Sequence, residues 1–210
     1  MFYHDIFRKK HMSQKVLPPI NMLVITDTHN CFQPDWLDIV DAVNYDVCFF
    51  LGDIGGKDYE AILPHIKFPF YGFPGNHDDI ETLEKYNVPN IHGTVIEEKG
   101  IHFAGWGGSL WYKDGADISF TQKESMLFAD ALSESDVLLS HDTCNKLFGT
   151  SNPVHMGLKG IRKYCIKKQP ILNIHGHHHK NAIHQVGNTK VIGVFRCALI
   201  DETGNIKVLF

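Results

Sequence analysis

The stretch NMLVITDTHN, residues 21–30, decides how the rest of the chain is read. Its first six residues form an apolar, β-branched run of strand length, and such a run bounded by polar residues reads as a buried strand. Directly after it stand Asp27, Thr28 and His29. Asp27 and His29 are two residues apart and both can bind a metal. In an extended chain such residues face the same way, so the two side chains are expected to converge on one point.

Outward from this stretch the arrangement recurs. YDVCFFL (45–51) is followed by Gly52-Asp53, and FPFYGF (68–73) by Pro74-Gly75-Asn76-His77-Asp78. DVLLS (136–140) is followed by His141, and PILNI (170–174) by HGHHHK, where His175, His177 and His179 alternate around Gly176 and His178. Helical patterns separate these runs at DWLDIVDAV (35–43), DDIETLEKY (78–86), TQKESMLFADAL (121–132) and GLKGIRKYCIKK (157–168). Buried strands alternating with helices indicate an α/β fold with at least partly parallel strands. IHGTVIEEKGIHFAGW (91–106) reads as a hairpin turning at Lys99-Gly100, and TKVIGVFRCALIDETGNIKVLF (189–210) as strands joined by a turn at Glu202 to Asn205. These hairpins predict a second, more antiparallel sheet. No internal repeat or low-complexity linker interrupts the chain, so residues 1–20 are expected to form an N-terminal arm and residues 21–210 one domain.

A chain of 210 residues is long enough to bury about 70% of the surface its unfolded form exposes. Its 43% hydrophobic and 21% charged residues exclude general disorder. A formal charge of -4 and a pI near 6.4 give no overall attraction for nucleic acid or anionic membranes. Cys31, Cys48, Cys144, Cys165 and Cys197 are odd in number and widely spaced, which reads as mostly buried free thiols in a reducing compartment. No apolar run approaches the ~18 residues needed to span a bilayer. The basic residues Arg8, Lys9 and Lys10 precede no apolar segment of a secretory signal. The expected location is cytoplasmic.

A lone Asp or Asn after a strand is ordinarily a turn or cap residue, and a lone His ordinarily lies on the surface or satisfied in the core. Five strand ends agreeing in place and chemistry is a different observation, because ligand sites in open α/β sheets gather at that edge. Together, D-x-H (Asp27, His29), G-D (Gly52, Asp53), G-N-H-D (Gly75 to Asp78), His141 and G-H-x-H (Gly176 to His179) resemble the calcineurin-like metallophosphoesterases in order and spacing. The resemblance covers roughly residues 21 to 200 and points to the small single-domain phosphoesterase type. It implies a two-sheet αββα sandwich with flanking helices and a binuclear metal site at one edge. By the same resemblance Asp27, His29, Asp53 and His179 hold one metal, and Asp53, Asn76, His141 and His177 the other, with Asp53 bridging. His77 matches the family's non-ligand catalytic histidine, and Asp78 the residue that supports it. His175 and His178 stay outside this set, since their alternation parity lets at most one share the face of His177 and His179.

Imidazoles with a minority of carboxylates suit manganese, iron, zinc, cobalt or nickel, whereas magnesium and calcium favour oxygen ligands. The expected cofactor is two divalent transition-metal ions, manganese foremost. Two bare dications about 3.5–4 Å apart repel by on the order of 20 kcal/mol at an effective dielectric of ~20, so a shared anion such as Asp53 is required. With only two carboxylates and a hydroxide against two dications, roughly one positive charge remains to attract a phosphate ester. The implied reaction is in-line attack by a metal-activated hydroxide, with His77 donating to the leaving oxygen.

Phosphodiesters are the expected substrates, with a phosphomonoesterase or protein phosphatase as the alternative. GDIGGKDY (52–59) lacks the Arg of G-D-x-x-D-R-G that the phosphoprotein phosphatases place on phosphate, which argues against protein dephosphorylation. The chain also has little length for the capping and dimerising segments of the nuclease members. A non-enzymatic alternative is a protein-binding scaffold of the same fold, as in the retromer subunit; the complete ligand set argues for an enzyme. GWGGSLWYKDG (105–115) offers Trp111, Tyr112 and Lys113, and KLFGTSNPVHMG (146–157) offers Phe148 and His155, as candidates to stack a nucleobase or contact phosphate, or as ordinary packing residues. The expected partner is a phosphate-ester substrate, with nucleotide-like esters among the candidates, and with no membrane and no obligatory protein partner.

Overall fold

The structure is a computed structural model and describes residues 16–112, 118–148 and 152–210. In chain order the strands are β1 (Asn21–Thr26), β2 (Val47–Phe50), β3 (Phe70–Gly72), β4 (Val95–Glu98), β5 (Ile101–Trp106), β6 (Ser109–Leu110) and β7 (Ser119–Phe120). They continue with β8 (Val137–Ser140), β9 (Leu172–His175), β10 (Ala182–Val186), β11 (Thr189–Gly193), β12 (Arg196–Asp201) and β13 (Ile206–Val208). The helices are α1 (Trp36–Ala42), α2 (Gly56–Ile62), α3 (Ile80–Lys85), α4 (Gln122–Ala131) and α5 (Lys159–Lys167).

Side chains alternate across a strand, and the three apolar cores follow that period. Met22 and Val24 of β1, with Val47 and Phe49 of β2, face Phe103, Val137, Leu139, Leu172 and Ile174 of the other large sheet. Leu23, Ile25, Cys48 and Phe50 point the opposite way, onto Val40, Tyr59, Ile62 and Leu83 of α1, α2 and α3. On the far side Ala104, Trp106 and Leu138 meet Ala129, Ile161, Tyr164 and Cys165 of α4 and α5. The result is the expected four-layer αββα sandwich, with both sheets buried on two faces.

One sheet runs β13-β12-β1-β2-β3 and the other β10-β11-β9-β8-β5-β4. The pairs β1/β2 and β2/β3 are parallel, as are β11/β9, β9/β8 and β8/β5. The expectation of one more antiparallel sheet is corrected here. Both hairpins form, but they lie at the outer edges of different sheets: β4/β5 ends one, and β12/β13 ends the other. Lys99 and Gly100 turn the first hairpin with φ of 50° and 75°, the left-handed pair that matches strand twist. The 189–210 run also contains strands of both sheets, since the chain passes from β11 to β12 through Val194 and Phe195.

The four expected helices form, and α2 adds one the pattern did not disclose. Gly55 and Gly56 at its start and Pro64 just beyond it mask a short helix as a loop. Residues 1–15 of the expected arm lie outside the described residues, while Leu17 and Ile20 are buried in the core between the sheets. Cys48, Cys144, Cys165 and Cys197 are buried free thiols and Cys31 is exposed. Among the described residues no helix is long and apolar enough to cross a membrane.

Candidate metal centre

Parallel pairing brings the C-terminal ends of β1, β2 and β3 to one edge of their sheet, and those of β8 and β9 to one edge of theirs. Hydrogen bonds then join the two edges. The His141 imidazole donates from Nδ1 to the Leu51 carbonyl (2.7 Å), and the His177 amide donates to Asp27 Oδ2 (2.9 Å). Close approach requires small residues at the crossings. A Cβ on Gly75 would stand 2.1 Å from Asp53 Oδ1, and one on Gly176 would stand 2.1 Å from Thr26 Oγ1.

The backbone does not stay extended beyond the strands. Asp27, His29, Asp53, His177 and His179 have φ of 53°, 51°, 55°, 63° and 50°. Convergence of Asp27 with His29, and the separate aim of His177 and His179, therefore come from left-handed turns and not from strand alternation. Such conformations cost about 1–3 kcal/mol each and persist where the surroundings over-determine them. Here Asp27, His29 and Asn30 donate their amides to the carbonyls of Gly52, Asp53 and Ile54 at 3.0, 2.9 and 3.1 Å, so the two loops hold each other.

The expected residues gather into two groups. Asp27, His29 and His179 form one; Asp53, His141 and His177 form the other, with the candidate ligand atoms of each group within 4.8 Å of one another. In the first, His29 Nε2 lies 3.2 Å from His179 Nε2, and His179 Nε2 lies 3.4 Å from Asp27 Oδ1. In the second, His141 Nε2 lies 3.4 Å from Asp53 Oδ2 and 3.1 Å from Asn76 Oδ1. His177 Nε2 donates to the Val154 carbonyl (3.0 Å), which leaves Nδ1 for the group. Asp53 Oδ2 stands between the groups, 3.9 Å from His29 Nε2 and 3.4 Å from His141 Nε2.

Two features of this arrangement fit metal ions. Asp27 Oδ1 is buried without a hydrogen-bond partner, a costly state for a carboxylate oxygen unless a cation meets it. Two imidazole nitrogens at ~2.1 Å from one ion in tetrahedral geometry stand about 3.4 Å apart. The His29–His179 nitrogen separation is close to that value, and the pairs around His141 Nε2 have the same spacing.

The charges follow from burial and neighbours. Burial opposes ionisation of Asp53, but the His141 charge and hydrogen bond outweigh it and hold the carboxyl below its usual range. Asp27 is likewise lowered, burial being overcome by His179 and His141. Burial disfavours a charged His141, yet Asp53 and Asp27 push it up to about 10. His179 is raised by its contact with Asp27, and His177 is lowered by burial. Two buried, ionised carboxylates thus sit among imidazoles, buried around His141 and His177 and open to solvent at His29 and His179, and positive charge is favoured beside them.

His77 is exposed, its ring 5.6 Å from that of His29, and its amide donates to Asp53 Oδ1 (2.9 Å). Asp78 departs from the expected contact. Its buried Oδ2 accepts from the amides of Asp53 (2.5 Å) and Gly75 (2.8 Å), so its described hydrogen bonds hold the loops that carry Asp53 and Asn76, not the His77 ring. Burial and the Asp53 charge raise its pKa.

Of the mouth candidates, Tyr112 brings its hydroxyl 3.4 Å from Asn76 Nδ2, and Trp111 is 52% exposed. His155 lies 5.4 Å from the His177 ring, Phe148 stacks on His178 at 4.4 Å, and Lys113 lies outside the described residues. His175 and His178 are buried beside the centre and belong to neither group.

Two supporting residues escaped the sequence reading. Thr26 Oγ1 donates to Asp27 Oδ2 (2.8 Å) and so turns Oδ1 toward His179. Asp142 is fully buried, accepts from the amides of Leu110 (3.0 Å) and Thr143 (2.7 Å), and lies 3.8 Å from His178 Nε2. It ties β6 to the loops after β8 and β9. Its only sequence signal is adjacency to His141.

A two-sheet αββα sandwich with paired Asp/His groups at the C-terminal edge of its parallel strands defines a metallohydrolase-type scaffold. A sequence model of the Calcineurin-like phosphoesterase superfamily domain matches residues 20–194, and the chain belongs to that superfamily, whose members are generally hydrolases that use divalent metals. No curated protein matches the chain in sequence. Among solved structures it is similar to the protein TT1561 of Thermus thermophilus (13% identity, TM-score 0.67, covering 92% of this chain and 100% of that one). It is also similar to the phosphopantetheinyl hydrolase PptH of Mycobacterium tuberculosis (12%, TM-score 0.57, 84% and 89%). A third similar structure is described as a novel archaeal phosphodiesterase (13%, TM-score 0.54, 90% and 98%). At these identities the likeness shows the fold.

Proposed function

We propose that the protein is a binuclear metal-dependent phosphoesterase that hydrolyses phosphate esters, phosphodiesters foremost. The observation that carries this reading is the position of Asp53, with Oδ2 facing both histidine groups. Asp27, His29 and His179 would hold one ion, Asn76, His141 and His177 the other, and Asp53 both. When bound, two such ions, manganese foremost, bring the pKa of a water toward ~7 and polarise phosphoryl oxygens.

The chain's own residues do the rest. The Leu51 and Val154 carbonyls fix which nitrogens His141 and His177 turn toward the centre. The His77 amide and the Asp78-bound loops hold Asp53 in place. The exposed His77 imidazole is placed to donate a proton to the leaving oxygen, and burial of Asp27 and Asp53 themselves limits the screening of their charge by bulk water.

The test is hydrolysis of bis(p-nitrophenyl) phosphate and p-nitrophenyl phosphate by metal-stripped protein reloaded with manganese, with bound metal counted by mass spectrometry. The expected result is two ions per chain and metal-dependent turnover favouring the diester. Asp53→Asn is expected to lose more metal affinity than the roughly 10- to 100-fold that removal of an outer-shell partner costs, with activity falling along with it. Folded protein that turns over neither ester with any divalent transition metal would overturn the proposal.

A further inference from the structure

We propose that Arg196 forms an anion subsite beside the metal centre, so that the substrate is a phosphoester carrying a second anionic group. This rests on the phosphoesterase reading above and goes beyond it by naming the substrate class. Arg196 opens β12 and pairs in register with Thr26, the residue before Asp27. The preceding residue, Phe195, stacks on His179 with ring centres 4.9 Å apart and planes 24° from parallel. The Arg196 guanidinium lies 5.1 Å from the Phe195 ring and 5.0 Å from the Trp36 ring, and Trp36 stacks on Phe210 at 4.3 Å. A cation is thus held by two aromatic rings on the flank of the Asp27, His29 and His179 group.

Two observations point to a ligand. Among the described residues no carboxylate pairs with Arg196, which is partly exposed, and the contacts of its guanidinium are the two rings. Aromatic faces attract the charge but leave the guanidinium N–H donors to an oxyanion, which the planar fork meets with two parallel hydrogen bonds. Arg196 also has φ of 66°, an outlier for a bulky side chain, and such strain concentrates at ligand sites. Phosphate and carboxylate share the chemistry this fork reads.

The experiment compares binding, by calorimetry, of two ligand pairs to manganese-loaded wild type, Arg196→Met and Arg196→Lys. Thymidine 3′,5′-bisphosphate differs from thymidine 5′-monophosphate by a phosphate, and O-phosphoserine differs from O-phosphoethanolamine by a carboxylate. In wild type the second anion is expected to tighten binding roughly tenfold or more in at least one pair. Arg196→Met should cut that gain to about threefold or less, and Arg196→Lys should keep part of it. A gain confined to the thymidine pair names a second phosphate; a gain in the serine pair names a carboxylate. No gain in wild type, or a gain that survives in Arg196→Met, overturns the inference. Arg196→Gln replaces the methionine variant if that one does not fold. Because the readout is a ratio of affinities, it stands apart from turnover of bis(p-nitrophenyl) phosphate, whose failure in wild type would count against the phosphoesterase reading instead.

Discussion

His77 shows how a residue's task follows from what its side chain is left free to do. Its neighbours Asn76 and Asp78 are buried and engaged, whereas His77 uses only its amide, on Asp53, and leaves the ring exposed beside the centre. A ring so placed can give a proton to a departing alkoxide and has little to offer a departing nitrophenolate, which needs none. His77→Ala is therefore expected to slow hydrolysis of an alkyl phosphodiester about 10²- to 10⁴-fold, raising the barrier by roughly 3–5 kcal/mol. The nitrophenyl ester should be affected far less, and metal content not at all. Equal losses on both esters, or lost metal, would assign His77 to holding the site and not to proton donation.

Elements carry the site without belonging to it, and α4 tests this separation. Thr121 and Glu124 close a capping box at its start: the Thr121 hydroxyl accepts from the Glu124 amide (3.2 Å), and Glu124 Oε2 accepts from the Thr121 amide (2.8 Å). Thr121→Ala should cost about 1 kcal/mol in denaturant unfolding with turnover intact; a large fall in turnover would show that α4 is coupled to the centre. At this scale much of the fold was legible. β1, β2, β8 and β9 are runs of strand length with strand-forming residues, and both turn signals formed hairpins where they stood. Sheet membership was not legible, because pairing partners far apart in sequence decide it: β11 and β12, two residues apart, lie in different sheets. β10 was missed because it is an exposed edge strand of mixed polarity, and α2 because glycines open it. At the centre the strand-end positions of the Asp and His residues could be read from the sequence, and their candidate grouping from the family resemblance, but the left-handed turns that aim them could not, since nothing in Asp27 or His177 marks a positive φ. Arg196 gave no signal because its meaning comes from Trp36 and Phe195, brought to it by the fold.

For the molecule as a whole, joining two sheets at a polar edge means burying histidines, and pH dependence of stability follows. His175 ends β9 wholly buried, its Nδ1 donating to the Gly176 carbonyl (2.9 Å) and its Nε2 3.0 Å from the Thr143 hydroxyl. Burial, with a smaller push from His178, lowers its pKa to about 3, against 6.5 in the unfolded chain. Between those values the unfolded chain binds the proton and the folded one does not, so acidification below 6.5 favours unfolding by up to about 1.4 kcal/mol per pH unit. His141 has the opposite sign: raised to about 10, it contributes stability below 6.5 that is lost as pH rises through 10. Asp27 and Asp53, both lowered, add stability that is lost only as acid approaches the carboxylate range. In the window from 6.5 to about 4.5 the neutral histidines act together with Asp78, whose raised pKa contributes with the opposite sign, and a His175→Gln variant separates His175 from Asp78 and from His92, His155 and His177, which are lowered too. Gln keeps a donor and an acceptor for Gly176 and Thr143 but cannot take up the proton. In metal-stripped protein, where ion release cannot contribute, urea unfolding across this window should give a wild-type stability that falls more steeply with acid than the variant's. The difference in slope should approach 1.4 kcal/mol per pH unit. Parallel curves would mean that His175 meets the same proton affinity folded and unfolded, and that the buried edge gains its acid sensitivity elsewhere.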